Sequence, residues 1–281
     1  MEYRNERFTG ERALFASEDL TIFDSLFEDG ESPLKESKRL KIFRSTFNWK
    51  YPLWYCNDVE VHDSKITYTG RSGVWYTKNI TINNSLIEAP KTFRRSEKVT
   101  LNSVDMPHAD ETFWKCNGIR LNKATAHGDY FGFNSEDIEI DNLTLLGNYA
   151  FDGGKNIKIR NSTLTTKDAF WNSENVTLIN CTIIGEYFGW NSKNITLVNC
   201  TVESHQGFCY MENLKMINCR LINSDLVFEY CSDLDIEVTT EIDSVKNPIS
   251  GKIHAYKIKE LILEDQFIDK SKTDIKVDVN E

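Results

Sequence analysis

The chain has 281 residues, of which 40% are hydrophobic, and it carries a formal net charge of −10 at pH 7. An acidic chain lacks the excess of Lys and Arg that holds a nucleic-acid backbone, so we expect no nucleic acid as partner. No apolar stretch is long enough to span a membrane, and the charged start MEYRNERFTG lacks the apolar run of a secretory signal. The composition therefore predicts a cytoplasmic protein with no membrane partner.

A repeat of about nineteen residues runs through most of the chain and is clearest in NVTLINCTII, NITLVNCTVE and NLKMINCRLI. Each copy contains an apolar anchor. The thirteen anchors, 19 to 21 residues apart, are Leu20, Leu40, Val59, Ile80, Val99, Ile119, Ile138, Ile157, Val176, Ile195, Leu214, Leu234 and Ile253. A fixed period of this length predicts a solenoid, because one copy is too short to bury its own apolar face.

Within each copy the sequence predicts short strands joined by tight corners. Apolar and polar residues alternate after the anchor, which is typical of a strand. Just before most anchors stands Asn, Asp or Gly, residue types that tolerate a positive φ. Four residues after the anchor Asn recurs, as in Asn161, Asn180 and Asn199, which predicts amide ladders between parallel, in-register coils. We therefore predict an all-β, single-stranded parallel β-helix of about 13 coils; the alternative is a leucine-rich repeat, whose period overlaps.

Several short motifs carry a resemblance to known proteins. They are GERALF (10–15), ESPLKE (31–36), YPLWY (51–55), WKCNG (114–118), DAFW (168–171) and EYFGW (186–190). Over about residues 3–235 the chain resembles right-handed parallel β-helix proteins of the pectate-lyase-like superfamily, and more closely a bacterial family of unknown activity within it. The resemblance implies a right-handed solenoid and supplies no catalytic residues.

The unbroken repeat predicts one domain. We expect residues 1–258 to form the β-helix, with a first partial coil from about residue 10. Residues 259–281 lose the repeat and become charged, so we expect them to form a C-terminal cap or a charged tail. The seven cysteines, an odd number with three in one column, are expected to be reduced.

Two neighbouring aromatic columns leave the position of the core open. The column six residues before the anchor contains no charge, as expected of a core position. The next column contains five of the six tryptophans but also four charged residues. Either this second column faces solvent as an aromatic stripe, or its tryptophans fill the core while the charges are paired.

If the second column faces solvent, it forms a binding surface with the residues that follow it. The candidate binding residues are Trp54, Trp75, Arg94, Arg95, Trp114, Lys115, Trp171, Trp190, Tyr210 and Tyr230. Aromatic rings stack on the apolar faces of sugars, amides and hydroxyls bond to sugar hydroxyls, and Arg binds carboxylates in bidentate fashion. The first functional hypothesis is therefore binding of an oligosaccharide or a similar polyhydroxylated ligand.

A second hypothesis is a polysaccharide lyase or glycoside hydrolase acting on an acidic oligosaccharide. The candidate catalytic residues are Asp110, Asp129, Lys167, Asp168 and Glu186. Asp110 and Asp129 fall on adjacent coils, at the spacing of paired carboxylates that split their pKa values or bind a cation. The alternative is that these residues form a solvent-exposed edge of the coils with weak ion pairs and no catalytic role. No nucleophile elbow or phosphate-binding loop is present in the sequence.

A third hypothesis is an interaction scaffold that forms a homodimer through the aromatic stripe. We expect no cofactor, with calcium as the alternative if the acidic column binds a cation. The five histidines show no metal-ligand spacing, so no metal site is expected from them.

Overall fold

The computed structural model describes residues 1–279. Within this range no α-helix forms, and strands of successive coils pair in parallel, as Glu18–Phe23 does with Lys38–Phe43 and Glu174–Ile179 with Lys193–Val198. The predicted all-β parallel β-solenoid is confirmed, whereas its right-handed sense stays a prediction. The chain forms two compact units, one of residues 1–146 and one from Gly147 onwards.

The first unit contains fourteen strands and a short 3₁₀ turn, Tyr68–Gly70. The strands are β1 (Glu2–Arg4), β2 (Arg7–Phe8), β3 (Glu18–Phe23), β4 (Leu26–Phe27), β5 (Lys38–Phe43), β6 (Thr46–Phe47), β7 (Asn57–His62), β8 (Lys65–Ile66), β9 (Val74–Trp75), β10 (Lys78–Ile87), β11 (Phe93–Arg94), β12 (Glu97–Met106), β13 (Asn117–His127) and β14 (Glu136–Leu146). Successive anchors lie opposite one another, Leu20 against Leu40 and Leu40 against Val59. The repeat in the sequence is thus the repeat of the coils.

The second unit contains ten described strands and a 3₁₀ turn, Lys270–Lys272. The strands are β15 (Lys155–Arg160), β16 (Thr163–Thr165), β17 (Glu174–Ile179), β18 (Thr182–Glu186), β19 (Lys193–Val198), β20 (Thr201–His205), β21 (Glu212–Leu221), β22 (Leu234–Lys246), β23 (Gly251–Ile262) and β24 (Thr273–Val277). The register is the same, with Ile157 opposite Val176 and Val176 opposite Ile195.

The corners have the backbone that the asparagine columns predict. Asn175, Asn194 and Asn213 have φ near +57°, at +59°, +56° and +58°. Their side-chain amides also form a ladder, in which Asn194 Nδ2 donates to Asn175 Oδ1 (3.0 Å) and Asn213 Nδ2 donates to Asn194 Oδ1 (2.8 Å). Asparagine serves both purposes, since it tolerates the left-handed region and carries a donor and an acceptor.

Stacked phenylalanines form much of each unit's core. In the first unit Phe93 and Phe113 stack with ring centroids 4.7 Å apart, and in the second Phe151 and Phe170 stack at 5.1 Å. All four rings are at most 1% exposed. Complete burial of such a side chain contributes about 1.5–3 kcal/mol, so these columns stabilise the contact between neighbouring coils.

Strands also form beyond the first and last anchors. At the start, β1 pairs with β3, with Tyr3 opposite Ile22. Near the end, β24 pairs with β23, with Ile275 opposite Ile253. The predicted boundary between residues 1–258 and 259–281 stays a prediction, and residues 280–281 of that segment lie outside the described residues.

All seven cysteines are buried, and none of them forms a disulfide bond within residues 1–279. Among residues 1–279 the structure contains no helix with the length and apolar character needed to cross a membrane.

Candidate functional site

The burial of the two aromatic columns shows which one faces the core. From Leu34 onwards every member of the uncharged column is buried, Phe113 and Phe170 completely. Trp54, Trp75, Trp114, Trp171 and Trp190 are each half-buried instead. The tryptophan column therefore forms a stripe on the outer surface of each unit.

In the first unit the aromatic stripe is a continuous stack. Trp54 and Trp75 stack with centroids 5.1 Å apart, and the Arg94 guanidinium lies 4.7 Å from the ring centroid of Trp75 and 5.1 Å from that of Trp114. The indole N–H of Trp54 donates to the carbonyl oxygen of Ser72 (2.6 Å). Because stacking and this hydrogen bond occupy ring faces and a donor, the stripe offers mainly ring edges to a ligand.

Arg94 is bound within the protein. Its Nη2 lies 2.9 Å from a carboxylate oxygen of Glu111, whose other oxygen lies 2.9 Å from Lys91 Nζ. The Nε of Arg94 is buried and has no hydrogen-bond partner among the described residues. The predicted carboxylate-binding role thus has a competitor in Glu111, and Arg94 acts as a cationic spacer between two indoles.

The residues that follow the stripe form a second, more exposed line in the first unit, which we name the tyrosine–cation row: Tyr55, Tyr76, Arg95 and Lys115. The rings of Tyr55 and Tyr76 stack 4.8 Å apart with planes 3° apart, and the Arg95 guanidinium lies 6.0 Å from the Tyr76 centroid. Arg95 and Lys115 are exposed on adjacent coils. Neither cation has an ion-pair or side-chain hydrogen-bond partner within residues 1–279.

The first unit also brings together two predicted catalytic residues. Asp110 is exposed and Asp129 half-buried, and the backbone N–H of Asp129 donates to Asp110 Oδ1 (3.0 Å). Their neighbour Glu111 is occupied by Lys91 and Arg94. In the described part of the chain no three His, Cys, Asp or Glu side chains are arranged to hold a metal ion. The calcium expectation stays a prediction.

In the second unit the aromatic stripe is less tightly stacked. Trp171 and Trp190 lie 5.8 Å apart with planes 39° apart, Trp190 and Tyr210 lie 5.1 Å apart, and Tyr210 and Tyr230 lie 5.3 Å apart. The Trp171 indole N–H donates to the Tyr187 carbonyl oxygen (2.7 Å). The Tyr230 hydroxyl donates to Asp265 (3.1 Å), and this hydrogen bond raises the pKa of Tyr230.

The second unit also groups the three remaining catalytic candidates. Lys167 Nζ lies 2.9 Å from Glu186 Oε2, which raises the pKa of Lys167 and lowers that of Glu186. Asp168, only 3% exposed, donates its backbone N–H to the Glu186 carbonyl oxygen (2.9 Å). Its Oδ1 has no partner in the described residues, and burial raises the pKa of its carboxyl group. Asp168 and Glu186 thus lie on adjacent coils, and the pKa values of their carboxyl groups are shifted in opposite directions.

Sequence reasoning missed Trp49, the one tryptophan outside the stripe, and Tyr68. With Lys50, Thr69 and Arg71 they line a small cavity in the first unit. The anchor spacing indicates an extra turn in this region, because the step of 21 residues from Val59 to Ile80 is the longest in the series. The Tyr68–Gly70 turn falls within that step.

Three solved structures match this chain over most of its length. PfbA, a surface adhesin of Streptococcus pneumoniae, matches with 9% identity and a TM-score of 0.48, over 85% of this chain and 84% of that one. The A-module of the Azotobacter vinelandii mannuronan C-5 epimerase AlgE4 matches with 9% identity and a TM-score of 0.30, over 98% and 87%. The catalytic domain of a GH87 α-1,3-glucanase matches with 9% identity and a TM-score of 0.33, over 99% and 64%. At these values no functional conclusion follows.

Sequence comparison identifies the family. A search of curated protein sequences gave no match. A family profile with the description "Protein of unknown function (DUF3737)" matches residues 1–276, nearly the whole chain. The chain therefore belongs to the DUF3737 family.

Proposed function

We propose that this protein binds an acidic saccharide along the tyrosine–cation row of its first unit. The observation that carries the proposal is the pair of exposed cations, Arg95 and Lys115, which have no acidic partner within residues 1–279. In a chain of net charge −10 such partners are abundant, and the neighbouring Lys91 and Arg94 both bind Glu111. Two adjacent cations repel each other, so an anion that bridges them is favoured.

The tyrosines of the row supply the other interactions that a sugar needs. Tyr55 is 48% exposed, and Tyr76 is half-buried. Neither hydroxyl has a hydrogen-bond partner among the described residues, so both are available to sugar hydroxyls. Adjacent coils are about 4.8 Å apart, so the row repeats along the direction in which an extended saccharide would lie.

The test compares matched cation variants of the full chain. Arg95→Gln with Lys115→Gln removes both cations of the row. Lys98→Gln with Lys123→Gln is the control, because these lysines are also exposed and have similar positive φ values. The φ angles are +54° and +56° for Lys98 and Lys123, and +49° and +55° for Arg95 and Lys115. An oligogalacturonate should raise the melting temperature of the wild type and of the control but not of the row variant, since only a folded-state ligand stabilises. An equal rise in all three proteins would contradict the proposal.

A second candidate function, cleavage of the acidic saccharide, is favoured by Asp168 and Glu186. Opposite pKa shifts in neighbouring carboxyl groups suit one as general acid and the other as an ionised base or nucleophile. Release of reducing ends from an oligogalacturonate, abolished by Asp168→Asn, would support this function. No release by the wild type over a panel of acidic oligosaccharides would count against it.

A further inference from the structure

A small cavity in the first unit lies apart from the tyrosine–cation row. Its volume is about 210 Å³, and it is lined by Trp49, Lys50, Tyr68, Thr69 and Arg71. Drug-sized ligands fill cavities of about 300–1,000 Å³, so this one accommodates a single ring rather than a chain of sugars.

The walls of the cavity are held in place by the turn that carries Tyr68. A Cβ on Gly70 would lie 2.7 Å from Ile66 Cγ2 and 3.1 Å from the Phe47 carbonyl oxygen, so the turn requires glycine there. The Thr69 hydroxyl donates to the carbonyl oxygen of Asn48, next to Trp49. The turn is therefore fixed to the strand end that carries the opposite wall, and the cavity is a built feature of the fold.

Trp49 differs from the tryptophans of the aromatic stripe. It is 36% exposed, stacks on no other ring in the described part of the chain, and its indole N–H has no acceptor there. By contrast, Trp75 stacks on Trp54 and donates its N–H to the Lys91 carbonyl oxygen (2.9 Å). Trp49 thus keeps a ring face and a hydrogen-bond donor available to a ligand.

Tyr68 supplies a second aromatic wall. It is 58% exposed, and its ring meets His108 edge-on, with centroids 5.4 Å apart and planes 87° apart. Its hydroxyl has no hydrogen-bond partner within residues 1–279. Two aromatic side chains with unused donors therefore border a space of one ring's size.

The charges at the rim favour a ligand with one negative charge. Lys50 Nζ lies 2.7 Å from Glu31 Oε1, so the positive charge of Lys50 is compensated by this ion pair. Arg71 is exposed and has neither an ion-pair nor a side-chain hydrogen-bond partner among the described residues. One guanidinium thus stands at the rim beside two aromatic walls, the arrangement that holds a carboxylate in bidentate fashion.

We infer that this cavity binds a ring-shaped monocarboxylate, with the ring against Trp49 and Tyr68 and the carboxylate on Arg71. Two ligand classes share this chemistry, an aromatic carboxylic acid and a single hexuronic acid. The inference does not depend on saccharide binding at the tyrosine–cation row, because the two sites share no residue.

The indole N–H signals of the full chain provide a direct readout. The chain has six tryptophans, so a ¹H–¹⁵N spectrum contains six indole signals, and Trp49→Phe identifies one of them. Benzoate and glucuronate are titrated separately, with benzamide and glucose as uncharged counterparts. A saturable shift of the Trp49 signal with benzoate alone indicates the aromatic class, and one with glucuronate alone the sugar class. No shift with either acid, or equal shifts with the uncharged counterparts, would overturn the inference.

A charge variant tests the role of Arg71. Arg71→Gln should weaken binding of the acid at least tenfold, the scale of a lost charge-assisted pair. Arg120→Gln, which removes an exposed arginine of the same unit that does not line the cavity, should leave the affinity unchanged. Unchanged affinity in Arg71→Gln would overturn the assignment. Arg95→Gln with Lys115→Gln should not affect this titration, so failure here and failure at the row are distinguishable.

Discussion

Trp54 and Trp75 stack face to face, with ring centroids 5.1 Å apart and planes 9° apart. The stack runs from coil to coil, so each ring covers the face that a sugar would use. The aromatic stripe of the first unit consequently stabilises the contacts between coils. We propose ligand binding at the tyrosine–cation row because of its unpaired cations and hydroxyls, since the rings of Tyr55 and Tyr76 are stacked as well.

Removing one ring of the stack should therefore lower stability rather than affinity. We expect Trp75→Ala to cost roughly 2–3 kcal/mol, less than the full loss for a completely buried tryptophan because Trp75 is half-buried. Urea denaturation measures the free energy of unfolding, and an oligosaccharide titration under native conditions checks the affinity. A variant of full stability that has lost binding would show that the stripe itself is the binding surface.

The core phenylalanines should contribute more than exposed aromatic residues. Phe170 is completely buried between Phe151 and Phe188, at centroid distances of 5.1 and 5.4 Å. Phe170→Ala should lower the free energy of unfolding by about 3–5 kcal/mol. Phe267→Ala, at a position 88% exposed, should change it by less than about 0.5 kcal/mol. Similar losses in the two variants would contradict the assignment of the core.

The corner asparagines allow the backbone effect to be separated from the side-chain ladder. Asn194 has φ of +56° and bonds to Asn175 and Asn213. Both Asn194→Ala and Asn194→Gly remove the ladder amide, but only alanine strains this backbone, at a cost of about 1–2 kcal/mol. The greater flexibility of glycine in the unfolded chain offsets part of this difference. Chemical denaturation should therefore show Asn194→Gly to be more stable than Asn194→Ala by roughly 0.5–1 kcal/mol. If Asn194→Gly were no more stable than Asn194→Ala, the backbone conformation would not contribute, and Asn194 would act only through its side-chain hydrogen bonds.

The features of this fold that could be predicted from the sequence are those that recur from coil to coil. An anchor recurs in every coil, and Asn, Asp or Gly stands before most of the anchors; this spacing predicted parallel coils and positive φ. Which aromatic column faces out could not be predicted, because a shift of one residue exchanges the two sides of a strand. Neither could the engagement of Arg94 by Glu111, since the two residues are 17 positions apart and meet only across coils. Trp49 lies outside the two aromatic columns, and the long step of 21 residues between two anchors indicates a turn near Tyr68 without indicating a cavity beside it.

Asp168 should make stability depend on pH. Burial raises its folded-state pKa, so the folded protein holds this proton more tightly than the unfolded chain does. The resulting stability is fully present below the ordinary carboxyl pKa and is lost as the pH rises through the raised value. Asp168→Asn should therefore gain about 1 kcal/mol at pH 7, the lower end of the cost of an unsatisfied buried group, and gain nothing near pH 3. Urea denaturation at both pH values measures the difference, and an equal effect at the two would exclude titration of Asp168 as the cause.

The buried thiols should be inert in the folded protein. Burial raises the pKa of Cys56 and of Cys116 to about 12, so neither forms a thiolate near neutral pH. A thiol-reactive chromogenic disulfide should label none of the seven cysteines in the native protein at pH 7.5 and all seven in denaturant. Rapid native labelling would show that a coil opens readily.

Isothermal titration of the full chain with an oligogalacturonate and with its fully methyl-esterified form tests whether the tyrosine–cation row binds an acidic saccharide, because the two ligands differ chiefly in carboxylate charge. We expect the wild type and Lys98→Gln with Lys123→Gln to bind the acidic form and not the ester, and Arg95→Gln with Lys115→Gln to bind the acidic form at least tenfold more weakly, a loss of about 1.4 kcal/mol. No heat of binding with the acidic form, or equal affinity for the acid and the ester, would contradict the proposal.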